Sequence, residues 1–218
     1  ICDSQVSEIA AKCRTLIVDN AQAFFSQPLP EIDTFYSPRK FFGVPDGAYL
    51  YTDMILESTL EHDVSCHRFD HLLGRIDLGA GVHYHSFKNN EKDLSSQPIK
   101  IMSNITRQIL RSIDYNLVNN KRRANFLFLH HKLKATNSIS FELKTDSVPM
   151  VYPYLIENGA EIRKKLIDNN VFVAAYWPNV MKWTNKSFFE YNLAKNLVAI
   201  PVDQRYGTDE MKHIVKLI

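Results

Sequence analysis

The chain has 218 residues, 45% of them hydrophobic and 23% charged, which is ordinary for a globular protein. A formal net charge of +2 excludes strong electrostatic steering to nucleic acid or membranes, and no apolar run approaches the roughly 20 residues of a membrane-spanning helix. The three cysteines, Cys2, Cys13 and Cys66, form no CxxC pair, and this favours reduced thiols in a cytoplasmic protein.

The first part of the chain is predicted to form a helix followed by three strands. Apolar residues at helical spacing predict a helix over 5–14. Three short runs, at 16–18, 32–36 and 48–51, are rich in branched or aromatic residues and lack glycine and proline. Such runs are typical of buried strands, so this region reads as part of an α/β sheet.

An acid and a lysine stand at the ends of these predicted strands. Asp19 directly follows the first strand, and Lys40 lies in a turn that Gly43, Pro45 and Gly47 bend sharply. Side chains at neighbouring strand ends of an α/β sheet commonly build a ligand site. We therefore expect the functional site here.

The rest of the chain is predicted to be helical first and then mixed. Residues 54–93 are polar and helical with glycine interruptions, and 99–133 form a long helical zone with isoleucine or leucine at every fourth position. Alternating elements follow and predict a small α/β sandwich. They are strands at 148–156, 171–177 and 197–202, and helices at 160–170, 186–196 and 208–218.

The segment 16–53 resembles the DegT/StrS family of sugar aminotransferases, pyridoxal-phosphate (PLP) enzymes of the aspartate-aminotransferase fold. The resemblance rests on VDNAQAFF, YSPRK and GVPDGAYL in that order, and on the tail LAKNLVAIPVDQRYGTDEMKHIVKLI. It implies part of a PLP-transferase large domain with a mostly parallel sheet (1–98), a long linking helix (99–136) and a small C-terminal α/β domain (137–218). Because the chain opens at Ile1, we expect a C-terminal portion that lacks the front of the large domain.

The same resemblance implies roles for four residues. Lys40 is expected to form the Schiff base with PLP, and Asp19 to hold the proton on the pyridine nitrogen. Gln22 would contact the ring or its phenolic oxygen, and Ser37 the phosphate. The serine-to-lysine spacing is shorter than in the family, which leaves Thr34 as a rival phosphate contact.

Other motifs are weaker. The family opens its long helix with Asn-x-Arg-Met, whose asparagine reaches the partner subunit's phosphate, whereas KIMSNIT matches only at 102–103. Arg39 either offsets phosphate charge or faces solvent. Histidine and cysteine at 62, 66, 67 and 71 have zinc-compatible spacing, but a solvated helix without metal is favoured. The basic zone 107–123 could contact the phosphates of a nucleotide, but an exposed helix face is favoured.

The resemblance implies a PLP-dependent aminotransferase that transfers an amino group from glutamate to a nucleotide-linked keto-sugar for polysaccharide biosynthesis. A cytoplasmic homodimer without nucleic-acid or membrane partners is expected. A PLP-dependent sugar dehydratase is an alternative, although the family's dehydratases replace the lysine that is retained here as Lys40. The second alternative is a catalytically incomplete fragment that serves as a dimerisation or regulatory module.

Overall fold

The computed structural model describes residues 3–13, 15–55, 57 and 59–218. The chain divides into two compact units, Ile1–Asp114 and Tyr115–Ile218. Within the described residues no helix is both long and apolar enough to cross a membrane.

In its described residues, the first unit combines a small sheet with four helices and two turns of 3-10 helix. Its strands are β1 (Ile17–Asp19), β2 (Asp33–Tyr36) and β3 (Tyr49–Tyr51), and its helices are α1 (Asp3–Ala10), α2 (Asp70–Leu78), α3 (Tyr84–Ser96) and α4 (Asn104–Arg111). The 3-10 turns span Pro38–Lys40 and Cys66–Arg68. The sheet order is β1-β2-β3, with β1 parallel and β3 antiparallel to β2. Residue 14, at the end of the first predicted helix, lies outside the described residues.

The prediction that all three strands are buried is wrong for β1 and β3. In the described part of the chain these are the edge strands, and Ile17, Leu50 and Tyr51 are more than half exposed. The central strand β2 alternates, with Thr34 and Tyr36 buried. Apolar content identified the strands, but burial depends on position in the sheet.

An aromatic cluster forms the core beside this sheet. The Phe24 ring lies 5.0 Å from Phe42 and 5.7 Å from Phe41, and Phe25 lies 5.8 Å from Phe41. Tyr36 joins the cluster at 6.4 Å from Phe24 and donates its hydroxyl to the Ser26 carbonyl at 2.8 Å. The turn after β1 is thereby packed against the turn after β2.

The single long helix predicted over 99–136 is two helices in the structure. The first is α4, and α5 (Tyr115–Leu133) begins the second unit. The chain leaves α4 at Ser112, whose amide bonds back to the Gln108 and Ile109 carbonyls and whose hydroxyl also donates to Ile109. The Ser112 amide and hydroxyl thus occupy the Ile109 carbonyl, which the amide of residue 113 would use in a continuing helix.

The second unit is a two-stranded antiparallel sheet packed with helices. Its strands are β4 (Val151–Leu155) and β5 (Leu197–Pro201), and its helices besides α5 are α6 (Gly159–Asp168), α7 (Val180–Trp183), α8 (Phe189–Asn196) and α9 (Thr208–Leu217). A continuous apolar core is built mainly from α5, β4, α6, β5 and α9. The mixed α/β class that the sequence predicts is confirmed.

The strand predicted over 171–177 does not form. Only Ala174 bridges to Ala199 of β5. The residue before this run, Asn170, and the last residue of the run, Trp177, have positive φ angles of 62° and 47° and are therefore not extended. Left-handed residues interrupt a strand ladder, so the apolar run passes the sheet as an irregular segment.

Arg122 does not lie on an exposed helix face as the basic zone predicts. It is 1% exposed, and its guanidinium donates to the Gln204 side chain at 2.7 Å and to the carbonyls of Pro149 and Met150. Burial lowers the pKa of Arg122 to about 10, against the opposing effect of Asp203. This arginine ties α5 to loops of its own unit and is not available to a nucleotide.

Candidate functional site

The parallel pairing of β1 and β2 brings the predicted site residues to one edge of the sheet. Asp19, the last residue of β1, pairs with Phe35 of β2. Ser37 directly follows β2, and Lys40 ends the 3-10 turn that begins at Pro38. Neighbouring strands lie about 4.8 Å apart, so these residues share the carboxyl edge of the two strands.

Asp19 is exposed and caps the turn that follows it. Its Oδ1 accepts a hydrogen bond from the Ala21 amide at 2.8 Å. Asp19 therefore acts as a turn cap in the structure. One carboxylate oxygen makes this contact, and a carboxylate can accept at both oxygens, so the cap does not exhaust its capacity.

Gln22 is half-buried within the same turn, next to the aromatic cluster. Asn20, in the same turn, forms hydrogen bonds to β2. Its amide donates to the Phe35 carbonyl at 2.9 Å, and its side chain bonds Tyr36. Burial raises the pKa of the Tyr36 hydroxyl, and the bond from Asn20 offsets part of that rise.

Ser37 and Thr34, the rival phosphate contacts, occupy different environments. Thr34 is 1% exposed, and its hydroxyl donates to the Ile32 carbonyl at 3.1 Å. Ser37 is half-buried at the N-cap position of the 3-10 turn, where its side chain makes no capping bond. Ser37 thus follows directly on the carboxyl end of β2 and is partly exposed, whereas Thr34 is buried within the strand.

The turn that carries Lys40 is rigid, while the Lys40 side chain is exposed. Pro38, Phe41 and Phe42 are buried on either side of it. The Lys40 amide donates to the Ser37 carbonyl at 3.3 Å, and the amides of Phe41 and Phe42 each donate to the Pro38 carbonyl at 2.9 Å. A rigid turn thus presents a solvent-accessible amine.

Arg39 is partly buried beside Lys40 and has an acidic partner. Its guanidinium forms an ion pair with Glu91 of α3. Burial lowers the pKa of Arg39, the Asp46 carboxylate opposes that effect, and Arg68 adds to it. The arginine joins the lysine turn to α3.

Asp46, to which no role was assigned from the sequence, is the centre of a buried polar network. It is 2% exposed and accepts the Ser103 amide at 2.8 Å, the Ser103 hydroxyl at 2.9 Å and the Thr106 hydroxyl. Ser65 also bonds its carboxylate and lies 2.7 Å from the Ser103 hydroxyl. Burial alone would raise the pKa of Asp46, but these hydrogen bonds together hold it below its ordinary value.

The network closes around the start of α4. Ser103 is the N-cap, and its hydroxyl also accepts the Thr106 amide at 3.3 Å. Met102, the other residue that matches the family's Asn-x-Arg-Met segment, packs against Gly47. A sequence signal existed, since Ser103 precedes an apolar helical repeat and an acid stands between Pro45 and Gly47 in an otherwise apolar turn.

The histidine positions do not converge on a metal. Among the described residues no three His, Cys, Asp or Glu side chains form a group that could hold an ion. His62 bridges Ile101 through its backbone, and His71 is buried against Phe87 at 5.8 Å. Burial and the nearby Arg39 charge lower the pKa of His71.

Two surface cavities lie at the opposite end of the sheet, where β1 and β2 begin and β3 ends. Their volumes are about 240 and 470 Å³, and Ile32 and Asp53 line both. Asp33, which lines the larger cavity, is the first residue of β2. Neither of these cavities includes Asp19, Ser37 or Lys40.

Comparison with solved structures identifies similar folds. One is a DegT/DnrJ/EryC1/StrS aminotransferase from Brucella abortus, with a TM-score of 0.55 and 13% identity, covering 98% of this chain and 59% of that one. Another is a protein from Streptococcus pneumoniae that is assigned as a sugar aminotransferase. Its PMP-form matches with a TM-score of 0.53 and its apo-form with 0.54, both at 13% identity. These two matches cover 93% and 97% of this chain. No protein-family model matches the sequence, and no curated protein does.

These similarities confirm the fold that the resemblance implied. The chain has the fold of part of a DegT/StrS-type aminotransferase, and it spans 57% to 59% of the length of those structures. At 13% identity the likeness concerns the fold, and the roles of Lys40, Asp19, Gln22 and Ser37 stay predictions.

Proposed function

We propose that this protein is a PLP-dependent aminotransferase whose cofactor lies at the carboxyl edge of β1 and β2. The observation that carries the proposal is the parallel pairing that aligns Asp19 with Phe35, two residues before Ser37. A carboxylate, a hydroxyl without a capping bond and an exposed amine on a packed turn suit the ring nitrogen, the phosphate and the aldehyde of PLP. When bound, PLP withdraws electrons from the Cα atom of an amino substrate.

Lys40 would attach the cofactor and move the substrate proton. Its amine is exposed, whereas Phe41 beside it is buried, so the backbone is fixed and the side chain can reach a ligand. A free lysine amine can accept a proton as a general base. The same side chain can therefore serve for attachment and for proton transfer.

Asp19 would hold the proton on the ring nitrogen. A carboxylate opposite a protonated nitrogen, about 4 Å away, stabilises it by about 4 kcal/mol at an effective dielectric near 20. Oδ1 caps the turn at Ala21, which orients the carboxylate along the sheet edge. Gln22, three residues on, would contact the ring or its phenolic oxygen.

Ser37 would donate its hydroxyl to the cofactor phosphate. Support comes from the contrast with Thr34, whose hydroxyl is buried and already donates to the Ile32 carbonyl. Arg39 is not assigned to the phosphate, because Glu91 already balances its charge.

For the substrates, we propose glutamate as amino donor and a nucleotide-linked keto-sugar as acceptor, in polysaccharide biosynthesis. Support comes from the resemblance of the segment 16–53 and from similar structures that are described as sugar aminotransferases. Retention of Lys40 supports transamination over dehydration. We further propose a cytoplasmic location, consistent with the exposed free thiols of Cys13 and Cys66.

The function is tested by trapping PLP on the full-length protein. We expect PLP to produce a visible absorbance band, and borohydride reduction to leave the cofactor on the peptide that contains Lys40. Lys40→Ala should abolish both signals. Lys92→Ala, which removes another exposed lysine of the same unit, is the matched control and should retain them.

Two results would contradict the proposal. Stable attachment of PLP in Lys40→Ala would show that another amine is the anchor. A wild-type protein that gives no band and no trapped peptide at millimolar PLP would instead fit a dimerisation or regulatory module.

A further inference from the structure

The turn that presents Lys40 is continuous with a buried attachment point six residues later. At the Lys40 end, backbone hydrogen bonds to the carbonyls of Ser37 and Pro38 close the 3-10 turn. The chain then passes through the buried residues Phe41, Phe42, Val44 and Pro45 to reach Asp46. The path from Lys40 to Asp46 is therefore packed along most of its length, with Gly43 as the exposed residue between them.

Asp46 attaches this path to α4. Its two oxygens accept the amide and hydroxyl of Ser103 and the Thr106 hydroxyl, and Ser65 adds a further bond. Hydrogen bonds to an ionised group are about twice as strong as neutral ones. The carboxylate also lies at the N-terminal end of α4, where the helix dipole favours negative charge.

A second and weaker attachment joins the turn to α3. Asn90 donates its side-chain amide to the Pro45 carbonyl at 3.2 Å, and the neighbouring Glu91 pairs with Arg39. The side chains of Arg39 and Glu91 are 24% and 45% exposed, and exposed ion pairs contribute little. The buried carboxylate of Asp46 is thus the stronger of the two attachments.

We propose that Asp46 is a positioning residue, which holds the Lys40 turn against the start of α4 so that the lysine amine meets the cofactor in one orientation. Asp46 does not touch the cofactor in this proposal and acts through the backbone of residues 40–46. The inference rests on the proposed function for its catalytic consequence, whereas the ordering of the turn can be measured without cofactor.

The test combines hydrogen exchange with PLP trapping on the full-length protein. Wild type is compared with Asp46→Asn, which keeps the shape but loses the charge, and with Thr106→Val, which removes one donor. Thr34→Val is the matched control, because it removes an equally buried threonine hydroxyl of the same unit that bonds a carbonyl instead of Asp46. Exchange is followed at the amides of Lys40, Phe41 and Phe42 without PLP, and trapping at the Lys40 peptide after borohydride reduction.

We expect exchange at these three amides to rise at least about tenfold in Asp46→Asn, which corresponds to about 1.4 kcal/mol. Thr106→Val should raise the exchange rate by about threefold, because it removes one of several donors to Asp46. Thr34→Val should leave the exchange rate near that of wild type, because the Thr34 hydroxyl bonds the Ile32 carbonyl and not Asp46. The amides of β2 should change less than those of the turn, which separates local loosening from global unfolding. Trapping at Lys40 should fall in the same order.

Unchanged exchange at the turn in both Asp46→Asn and Thr106→Val would overturn the proposal. Faster exchange with undiminished trapping would overturn it too, because the turn would then be ordered by Asp46 without any consequence for Lys40. Should Asp46→Asn fail to fold, the comparison of Thr106→Val with Thr34→Val decides. A wild-type protein that traps no PLP would refute the proposed function, while the exchange data would still report whether Asp46 orders the turn.

Discussion

At the scale of single residues, a carboxylate at a strand end can cap a turn, bind a ligand, or do both. Asp19 makes the capping bond to the Ala21 amide, and this contact needs an oxygen acceptor but no charge. Asparagine has such an oxygen and is itself a favoured capping residue. The proposed cofactor role does need the charge, so one substitution separates the two roles.

We predict that Asp19→Asn lowers the rate of the half-reaction with glutamate while leaving the fold intact. Loss of an interaction of about 4 kcal/mol corresponds to a rate reduction of roughly a thousandfold. The melting temperature of the cofactor-free protein should change little. Single-turnover kinetics with glutamate and a thermal melt measure the two effects, and a near wild-type rate would refute the role of Asp19.

Asp46 should make the stability of the first unit depend on pH. Its folded-state pKa is held below the ordinary value, so the ionised form contributes stability above the unfolded-state pKa. That contribution is lost as the pH falls through the folded-state pKa.

We predict that the free energy of unfolding declines in acid and that Asp46→Asn flattens this decline while lowering stability at neutral pH by about 2–4 kcal/mol. Urea unfolding at a series of pH values measures both, and parallel curves for the two proteins would contradict the prediction.

At the scale of elements, the connection from the lysine turn to β3 depends on a glycine. Gly47 has a φ of +99°, and a Cβ at this position would lie 2.8 Å from Cε of Met102. Gly43, in the same connection, has open space around it. The two glycines therefore form a natural pair for comparison.

We predict that Gly47→Ala destabilises the protein by about 1–3 kcal/mol, because it combines a left-handed backbone with a close contact. Gly43→Ala should change the free energy of unfolding by less than about 1 kcal/mol. Urea titrations of both variants provide the measurement. Equal midpoints for the two would show that Met102 and the turn relax without cost.

Elements with strong local signals could be predicted from the sequence, and those that depend on distant partners could not. The helix at the C-terminus and the strand β5 were predicted nearly to their ends, because apolar spacing and flanking polar residues define them. The network around Asp46 was missed, since Ser103 and Thr106 lie 57 and 60 residues away along the chain. Arg122 was misplaced for the same reason, because its partner Gln204 is 82 residues away.

At the scale of the whole molecule, both units expose large apolar side chains. Ile55 is 89% and Ile76 is 78% exposed in the first unit, and Trp183 is 76% exposed in the second. Exposed apolar area of this kind is typical of surfaces that contact a partner.

We predict that the full-length protein is a homodimer, with the Lys40 turn near the interface. Two-fold dimers are the commonest soluble oligomers, and a partner subunit would cover apolar area that water otherwise contacts. Light scattering at micromolar concentration should give twice the subunit mass, and amine modification of Lys40 should slow relative to Lys92 as the protein is concentrated. Lys92 serves as the control because it is an exposed lysine of the same unit on α3. A monomeric mass at these concentrations would refute the dimer. A dimer in which Lys40 and Lys92 react at a concentration-independent ratio would instead place the interface elsewhere on the surface.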